Sequence, residues 1–424
     1  MRKPIVWVLL LVLVSGMATA CRELPVQPSA VAASPKPRLT SPQVAPADLD
    51  QLVAGNTEFA FDLYQMLRQQ PGNMFYSPYS ISLALAMTYA GARGQTEEEM
   101  AQTLRFLLAG DALHAAFNAL DQALAARGEG AAGRDGDGFR LNIVNAVWGQ
   151  RDYGFLAEYL DTLAVNYGAG IRLVDFVENP DGSRVTINDW VSDNTEGRIE
   201  DLIAPGLIDR LTRLVLTNAI YFNAAWMHPF AEEATVEGPF YLLDGGQTPK
   251  PMMMLNEGLA YGKGEGYQVV ELPYDGGELA MTILVPDQGR FAEFERSLDA
   301  ARLSTISEGL SYEQVRLTLP RFEFESEFGL GAVLAEMGMP VAFSGEADFS
   351  GIDGSRNLVI SEVIHKAFVA VDEAGTEAAA ATAVVMRLTA MPAEPIELHV
   401  DRPFIFAIRD IATGALLFVG RVVE

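Results

Sequence analysis

The sequence predicts an α+β fold on three grounds. Strand-like and helix-like stretches follow one another without the regular βα alternation of a parallel sheet. No period of roughly 20 to 50 residues recurs, so the chain is not built of repeats. With 424 residues, 49% of them hydrophobic, it has material for one large core or two ordinary ones.

Taken in order, the N-terminus reads as an export signal. Arg2 and Lys3 precede an apolar run from Ile5 to Val14, and Ala18 and Ala20 suit cleavage after residue 20. The run is too short for a good spanning helix. Cys21 is the only cysteine and sits at the junction, which resembles a bacterial lipoprotein box. Lipidation there would anchor the chain to a membrane surface. The expected location is a cell-surface or periplasmic lipoprotein, or otherwise a secreted protein. A single cysteine allows no internal disulfide. Residues 21–47 carry Pro25, Pro28, Pro35, Pro37, Pro42 and Pro46 and read as an extended, poorly ordered tether.

The globular part is expected from Asp48 to Glu424 as a single domain. Phe59, Leu63, Met66 and Leu67 have helical spacing, and Ser80 to Tyr89 reads as a helix buried on most sides. Thr96 and Glu99 have capping-box spacing for the next helix. Further helices are expected near 155–167, 184–196 and 326–337. Strands are expected at Leu141–Trp148, Leu214–Phe222, Gln268–Leu272, Ala280–Val285, Val315–Phe324, Phe404–Arg409 and Leu416–Val423. The Gly-rich loop from Arg127 to Gly138 contains Asp135-Gly136-Asp137, but Ala146 stands where a calcium loop needs its closing glutamate.

Charge and motifs exclude several functions. Acidic residues outnumber basic ones 56 to 30, and loss of Arg2 and Lys3 with the signal takes the net charge from −26 to −28. Such a surface repels phosphate backbones and heparin-type polyanions. No phosphate loop, HExxH, CxxC or G-x-S-x-G occurs, and Gly262-Lys263-Gly264-Glu265-Gly266 reads as a turn. Of four histidines, His114 falls on an expected surface helix, His228 and His399 lie beside prolines or strands, and His365 reads as a core histidine. Met252, Met253 and Met254 read as core filling rather than copper ligands. No catalytic residue, metal or cofactor is expected, so the chain is not expected to be an enzyme.

The stretch 373–391, EAGTEAAAATAVVMRLTAM, says most about function. Gly375 is a hinge, and no bulky or charged side chain occurs from Ala378 to Val385. Alternation would place Thr376, Ala378, Ala380, Thr382, Val384 and Met386 on one face of a strand. Thr376 ahead of an alanine run is also a helix start. The flanks Lys366–Val371 and Glu397–Phe406 both read as strands, which favours an exposed segment able to enter a sheet.

Five motifs in order then identify a resemblance: 73–87 (NMFYSPYSISLALAM), 216–226 (LTNAIYFNAAW), 270–274 (VELPY), 347–352 (ADFSGI) and 401–404 (DRPF). The chain from 48 to 424 resembles a serpin. The resemblance implies three β-sheets, eight or nine helices and an exposed reactive-centre loop at about 373–395. It assigns Glu373, Gly375, Thr376, Glu377, Ala378, Ala379, Ala380 and Ala381 to the loop hinge. Ser77, Ser80, Asn218 and His365 match the shutter under the middle of the main sheet, and Trp226 matches the breach at its top. The implied activity is irreversible suicide inhibition of serine proteases, with cysteine proteases as a second class. The loop is cut, the protease is trapped as an acyl-enzyme, and the loop enters the main sheet. The alternative is a non-inhibitory relative acting as a binding protein or chaperone. The implied scissile bond is Thr389–Ala390, which suits elastase-like or subtilisin-like enzymes. Shifted registers give Leu388–Thr389 for chymotrypsin-like or Arg387–Leu388 for trypsin-like targets. A monomer is expected.

Overall fold

The computed structural model describes residues 30–133, 139–376 and 394–424. Its main sheet has seven strands in the order β1 (Ala30–Ala32), β4 (Ile171–Val174), β3 (Arg140–Gln150), β5 (Leu214–Ala225), β13 (Gly375–Thr376), β12 (Glu362–Val371) and β11 (Phe322–Gly329). A second ladder of nine strands runs β14 (Ile396–His399), β10 (Ser311–Pro320), β7 (Gln247–Gly264), β8 (Tyr267–Pro273), β9 (Leu279–Pro286), β15 (Phe404–Asp410), β16 (Leu416–Val422) and β2 (Met74–Tyr76), with β6 (Val236–Tyr241) paired to β7. Three sheets were expected. The long β7 pairs with β6 and β10 along most of its length and with β8 at its end, which joins the second and third into one ladder.

The helices are α1 (Pro46–Leu67), α2 (Pro78–Tyr89), α3 (Gly94–Thr103), α4 (Gly110–Ala125), α5 (Ala157–Tyr167), α6 (Pro180–Asn194), α7 (Phe291–Arg296), α8 (Ala300–Glu308), α9 (Gly331–Met337) and α10 (Ser350–Asp353). The last is a single turn.

Burial explains why β5 is central. Leu214, Leu216, Ile220 and Phe222 join the large core that contains α2. Val215 and Ala219 face a second cluster with Ile187, Val191, Ile199 and Leu202. A strand covered on both faces loses polar alternation and becomes a near-continuous apolar run. Every residue of α2 is buried, and Ser77 caps it by accepting from the Ser80 N–H at 3.2 Å.

Several expectations are corrected. The expected strand Val315–Phe324 is two strands in different sheets, broken after Pro320. Residues 326–329 belong to β11, so the helix expected at 326–337 begins only at Gly331. The stretch Glu397–Phe406 likewise divides between β14 and β15. Helix α3 starts at Gly94, and no side chain caps it. Thr96 instead accepts from the Asp348 N–H at 2.9 Å, and Glu99 from the Val341 N–H at 3.0 Å. His114 is buried rather than on the surface, with Nδ1 2.7 Å from the Tyr167 hydroxyl.

The expected tether is also revised from residue 30 onward. Ala30–Ala32 pairs antiparallel with β4 at the edge of the main sheet. Lys36 pairs with Asp161 at 2.8 Å, and Arg38 bonds Asn118 at 2.9 Å and Asp121 at 2.5 Å. Helix α1 begins at Pro46 rather than Asp48. Cys21 lies outside the described residues, as does Asp135-Gly136-Asp137.

Candidate functional site

The site is the seam between β5 and β12. These strands pair directly and in parallel from Val215–Glu362 to Ile220–Ala367. Above that level they diverge to flank β13, which is antiparallel to both: Thr376 lies opposite Val371 on one side and Ala224 on the other. The chain reverses into this position through a turn at 372–375. Asp372 accepts from the Ala374 N–H at 2.9 Å through its carboxylate, and its own N–H donates to the Gly375 carbonyl at 3.0 Å. A Cβ on Gly375 would fall 2.1 Å from the Ala224 carbonyl oxygen, so only glycine permits this approach.

Trp226 and Tyr274 shape the top of the seam. Their rings stack with centroids 4.6 Å apart. The Trp226 indole donates to the Asp372 carbonyl at 2.9 Å, and its backbone N–H donates to the Ala374 carbonyl at 2.9 Å. The Tyr274 hydroxyl meets the Thr376 hydroxyl at 2.8 Å. Glu373 is almost fully buried and is held bidentately by Arg321, at 2.6 and 2.8 Å, and by the Thr235 hydroxyl. Burial alone would push its pKa up, but the bonds from Arg321 and Thr235 outweigh it and hold the carboxyl below its ordinary value.

Lower in the seam the expected shutter residues converge. The His365 Nε2 accepts from the Ser77 N–H at 3.1 Å, so Nδ1 carries the proton and donates to the Asn218 carbonyl oxygen. The Asn218 amide donates to the Ser80 hydroxyl oxygen and to Asn145 Oδ1, both at 2.5 Å. The Ser80 hydroxyl donates to Asn145 Oδ1 at 3.0 Å. Burial lowers the His365 pKa to about 3, consistent with a neutral ring whose Nε2 accepts.

Sequence reasoning missed Asn145, Tyr274 and Arg321 as site residues. Asn145 stands directly opposite Asn218 in the β3–β5 ladder, flanked by Val144 and Ala146 in a strand that also carries Asn142 and Gln150. Tyr274 closes the VELPY motif already singled out. Arg321 has no local signal, because its partner Glu373 is distant in sequence. Of the expected hinge, Glu373, Gly375 and Thr376 are placed as described. Glu377, Ala378, Ala379, Ala380 and Ala381, and the candidate cleavage residues Arg387, Leu388, Thr389 and Ala390, lie outside the described residues. Among the described residues no three His, Cys, Asp or Glu side chains form a metal-holding group.

The central seam of the main sheet holds the first two residues of the following segment of the chain, paired between β5 and β12. The family model described as serpin (serine protease inhibitor) matches residues 54–424, and the chain belongs to that family. It is 38% identical over 385 residues to the leukocyte elastase inhibitor of Homo sapiens, covering 88% of this chain and 99% of that protein. It is 41% identical over 368 residues to an uncharacterized serpin-like protein of Thermococcus kodakarensis, covering 86% and 84%. Among solved structures it is similar to the native state of a thermophilic serpin, tengpin, with a TM-score of 0.81, 27% identity, and coverage of 94% and 100%. Uncleaved ovalbumin gives a TM-score of 0.78 at 29% identity, covering 88% and 100%.

Proposed function

We propose that the chain is an irreversible suicide inhibitor of serine proteases that works by inserting its cut loop between β5 and β12. The observation that carries this reading is β13, two residues of the hinge lying antiparallel between those strands. The protease's nucleophile attacks the scissile carbonyl, the amine of the next residue leaves, and the acyl-enzyme remains on the hinge side of the cut. Thr376 to Thr389 spans about 45 Å as a strand at ~3.3 Å per residue, so insertion drags the acylated protease along the sheet. Distortion of its oxyanion hole and triad then blocks deacylation.

Thr389–Ala390 is the proposed bond, and small-pocket, elastase-like enzymes are the proposed targets. The 38% identity to a leukocyte elastase inhibitor supports that class. Export through residues 1–20 and lipidation at Cys21 are proposed on the sequence pattern. The test is incubation with elastase-like, subtilisin-like, chymotrypsin-like and trypsin-like proteases, followed by a denaturing gel. A covalent band of summed mass is expected, and mass spectrometry of the released C-terminal fragment locates the bond. Clean loop cleavage with every protease still active would overturn the reading in favour of a non-inhibitory binding protein.

A further inference from the structure

The N-terminal segment leaves the body at a defined end of the main sheet. Ala30 lies opposite Leu173, Leu173 opposite Gly149, and Gly149 opposite Leu214. Leu214 is the first residue of β5, and Ala224, ten residues on, stands opposite Thr376 in the hinge. Ala30 is therefore level with the end of the sheet that lies about 33 Å below the hinge, at the usual rise of a strand. Direction follows from the pairing. β5 runs upward to the hinge, β3 is antiparallel to β5, β4 parallel to β3, and β1 antiparallel to β4. β1 thus also runs upward, and the chain before Ala30 departs downward, away from the loop.

Residues 21–29 lie outside the described residues, and their number alone limits the reach from Ala30 to Cys21 to about 30 Å. A lipid on Cys21 would hold a bilayer within that distance of Ala30, and the hinge lies farther off. The lower end has its own surface character. There the Gln150 N–H donates to the Arg213 carbonyl at 3.1 Å and the Arg151 N–H to the Val174 carbonyl at 2.7 Å. Leu211, just before β5, is 80% exposed, more than any other large hydrophobic side chain among the described residues. The segments that meet there, 150–152, 174–175 and 209–213, carry Arg151, Arg210 and Arg213 against Asp152, Asp175 and Asp209. That balance contrasts with 30 basic to 56 acidic residues in the whole chain.

We propose that the lower end of the main sheet faces a lipid bilayer, with Leu211 against its surface and the reactive-centre loop directed away from it. The proposal rests on the lipidation of Cys21 proposed above and is independent of the loop mechanism. The acyl chains supply the attachment. Burial of one leucine adds too little to anchor the protein, but it selects which side of a tethered body rests on the headgroups. The local charge balance spares this end the repulsion that an acidic surface meets at an anionic bilayer.

Cys21 is the only cysteine, so the chain from residue 21 onward can be joined there to a maleimide phospholipid and seated in phosphatidylcholine vesicles. A fluorophore on an azido side chain at position 151 or at position 233, both exposed, is then read against nitroxide-headgroup lipid. Position 151 marks the lower end, and position 233 the hinge end, where the Thr235 hydroxyl bonds Glu373. Quenching is expected to be several-fold stronger at 151. Leu211→Ser should weaken it at 151 alone, whereas Tyr312→Ser, at the 77% exposed ring on β10, should change neither signal. Equal quenching at the two positions, or stronger quenching at 233, would overturn the orientation. An unchanged signal at 151 in Leu211→Ser would overturn the contact. Mass spectrometry of Cys21 from the producing cell's membrane fraction tests the anchor separately. Absence of the acyl mass would sink the lipidation, and the bilayer as natural partner with it, whatever the vesicles show.

Discussion

The upper and lower halves of the β5–β12 seam are built from opposite materials. At the top, the two strands are parted by Gly375 and Thr376, and the contacts are main-chain ladders, one hydroxyl pair and a Trp–Tyr stack. Any strand with small side chains could use most of them. Lower down, Asn145, Asn218, His365 and Phe328 lie in one transverse row across β3, β5, β12 and β11, and the first three are tied through specific polar bonds to Ser77 and Ser80. Direct neighbours in a sheet sit about 4.8 Å apart, and a strand placed between them doubles that spacing. Insertion as proposed would therefore break the His365–Asn218 bond and spare Asn145–Asn218. On the proposed mechanism the top of the seam would serve as a template for a strand, and the row beneath it as a latch.

The contrast breaks most completely at its upper end. Thr376 is 2% exposed, so Thr376→Arg would force a guanidinium into the sheet interior at a cost of several kcal/mol. The variant should be cleaved as a substrate and lose the covalent band. Undiminished one-to-one trapping on a denaturing gel would contradict the template reading.

A smaller effect is expected from the latch. His365→Ala removes the acceptor of the buried Ser77 N–H and leaves Asn218 without its donor. The expected loss is about 3 kcal/mol in urea unfolding, with faster spontaneous loss of inhibitory capacity on storage. A variant as durable as the parent would show that the row does not restrain the seam.

How much of this was legible follows the same division. The strands flanking the seam announce themselves, because β5 is a buried apolar run and β12 ends beside a run of small residues. The latch was legible only through the family resemblance. A lone serine, asparagine or histidine carries no sign of its partner, and Asn145 was overlooked for that reason. Boundaries failed where a strand changes sheet: the break after Pro320 sits inside continuous strand-like composition, and only tertiary pairing distinguishes β10 from β11. The docking of residues 30–45 was hidden by composition. Their prolines and small residues read as a tether, yet Ala30–Ala32 finds the open edge of β4, and Lys36 and Arg38 find carboxylates on α5 and α4.

Acid should loosen the latch by a still smaller amount. The His365 pKa is lowered from 6.5 to about 3, so between those values the unfolded chain binds a proton that the folded one does not. The stabilisation is complete above 6.5 and falls as the pH drops, by ~1.4 kcal/mol per unit. From pH 6.5 to pH 5 this single group gives about 2 kcal/mol. Because His114 is lowered as well, to about 4, the decisive quantity is a difference. His365→Asn should show a pH slope of unfolding free energy shallower than the parent's by one proton, and equal slopes would contradict the buried neutral imidazole.

The smallest expected effect joins the two halves. Thr376 lies opposite Ala224 and Val371, and continuing that antiparallel register six residues down both neighbours brings Thr382 opposite Asn218 and His365. Thr382 is outside the described residues, and this position applies to the loop once inserted. The arriving hydroxyl would stand between the two groups that insertion separates, with a donor for one and an acceptor for the other. Thr382→Val keeps the shape and removes both, so the loop-cleaved form should lose about 1 kcal/mol of stability while the uncleaved form is unchanged. Equal melting of the two cleaved proteins would mean that the inserted strand adopts another register, or that the row is satisfied without it.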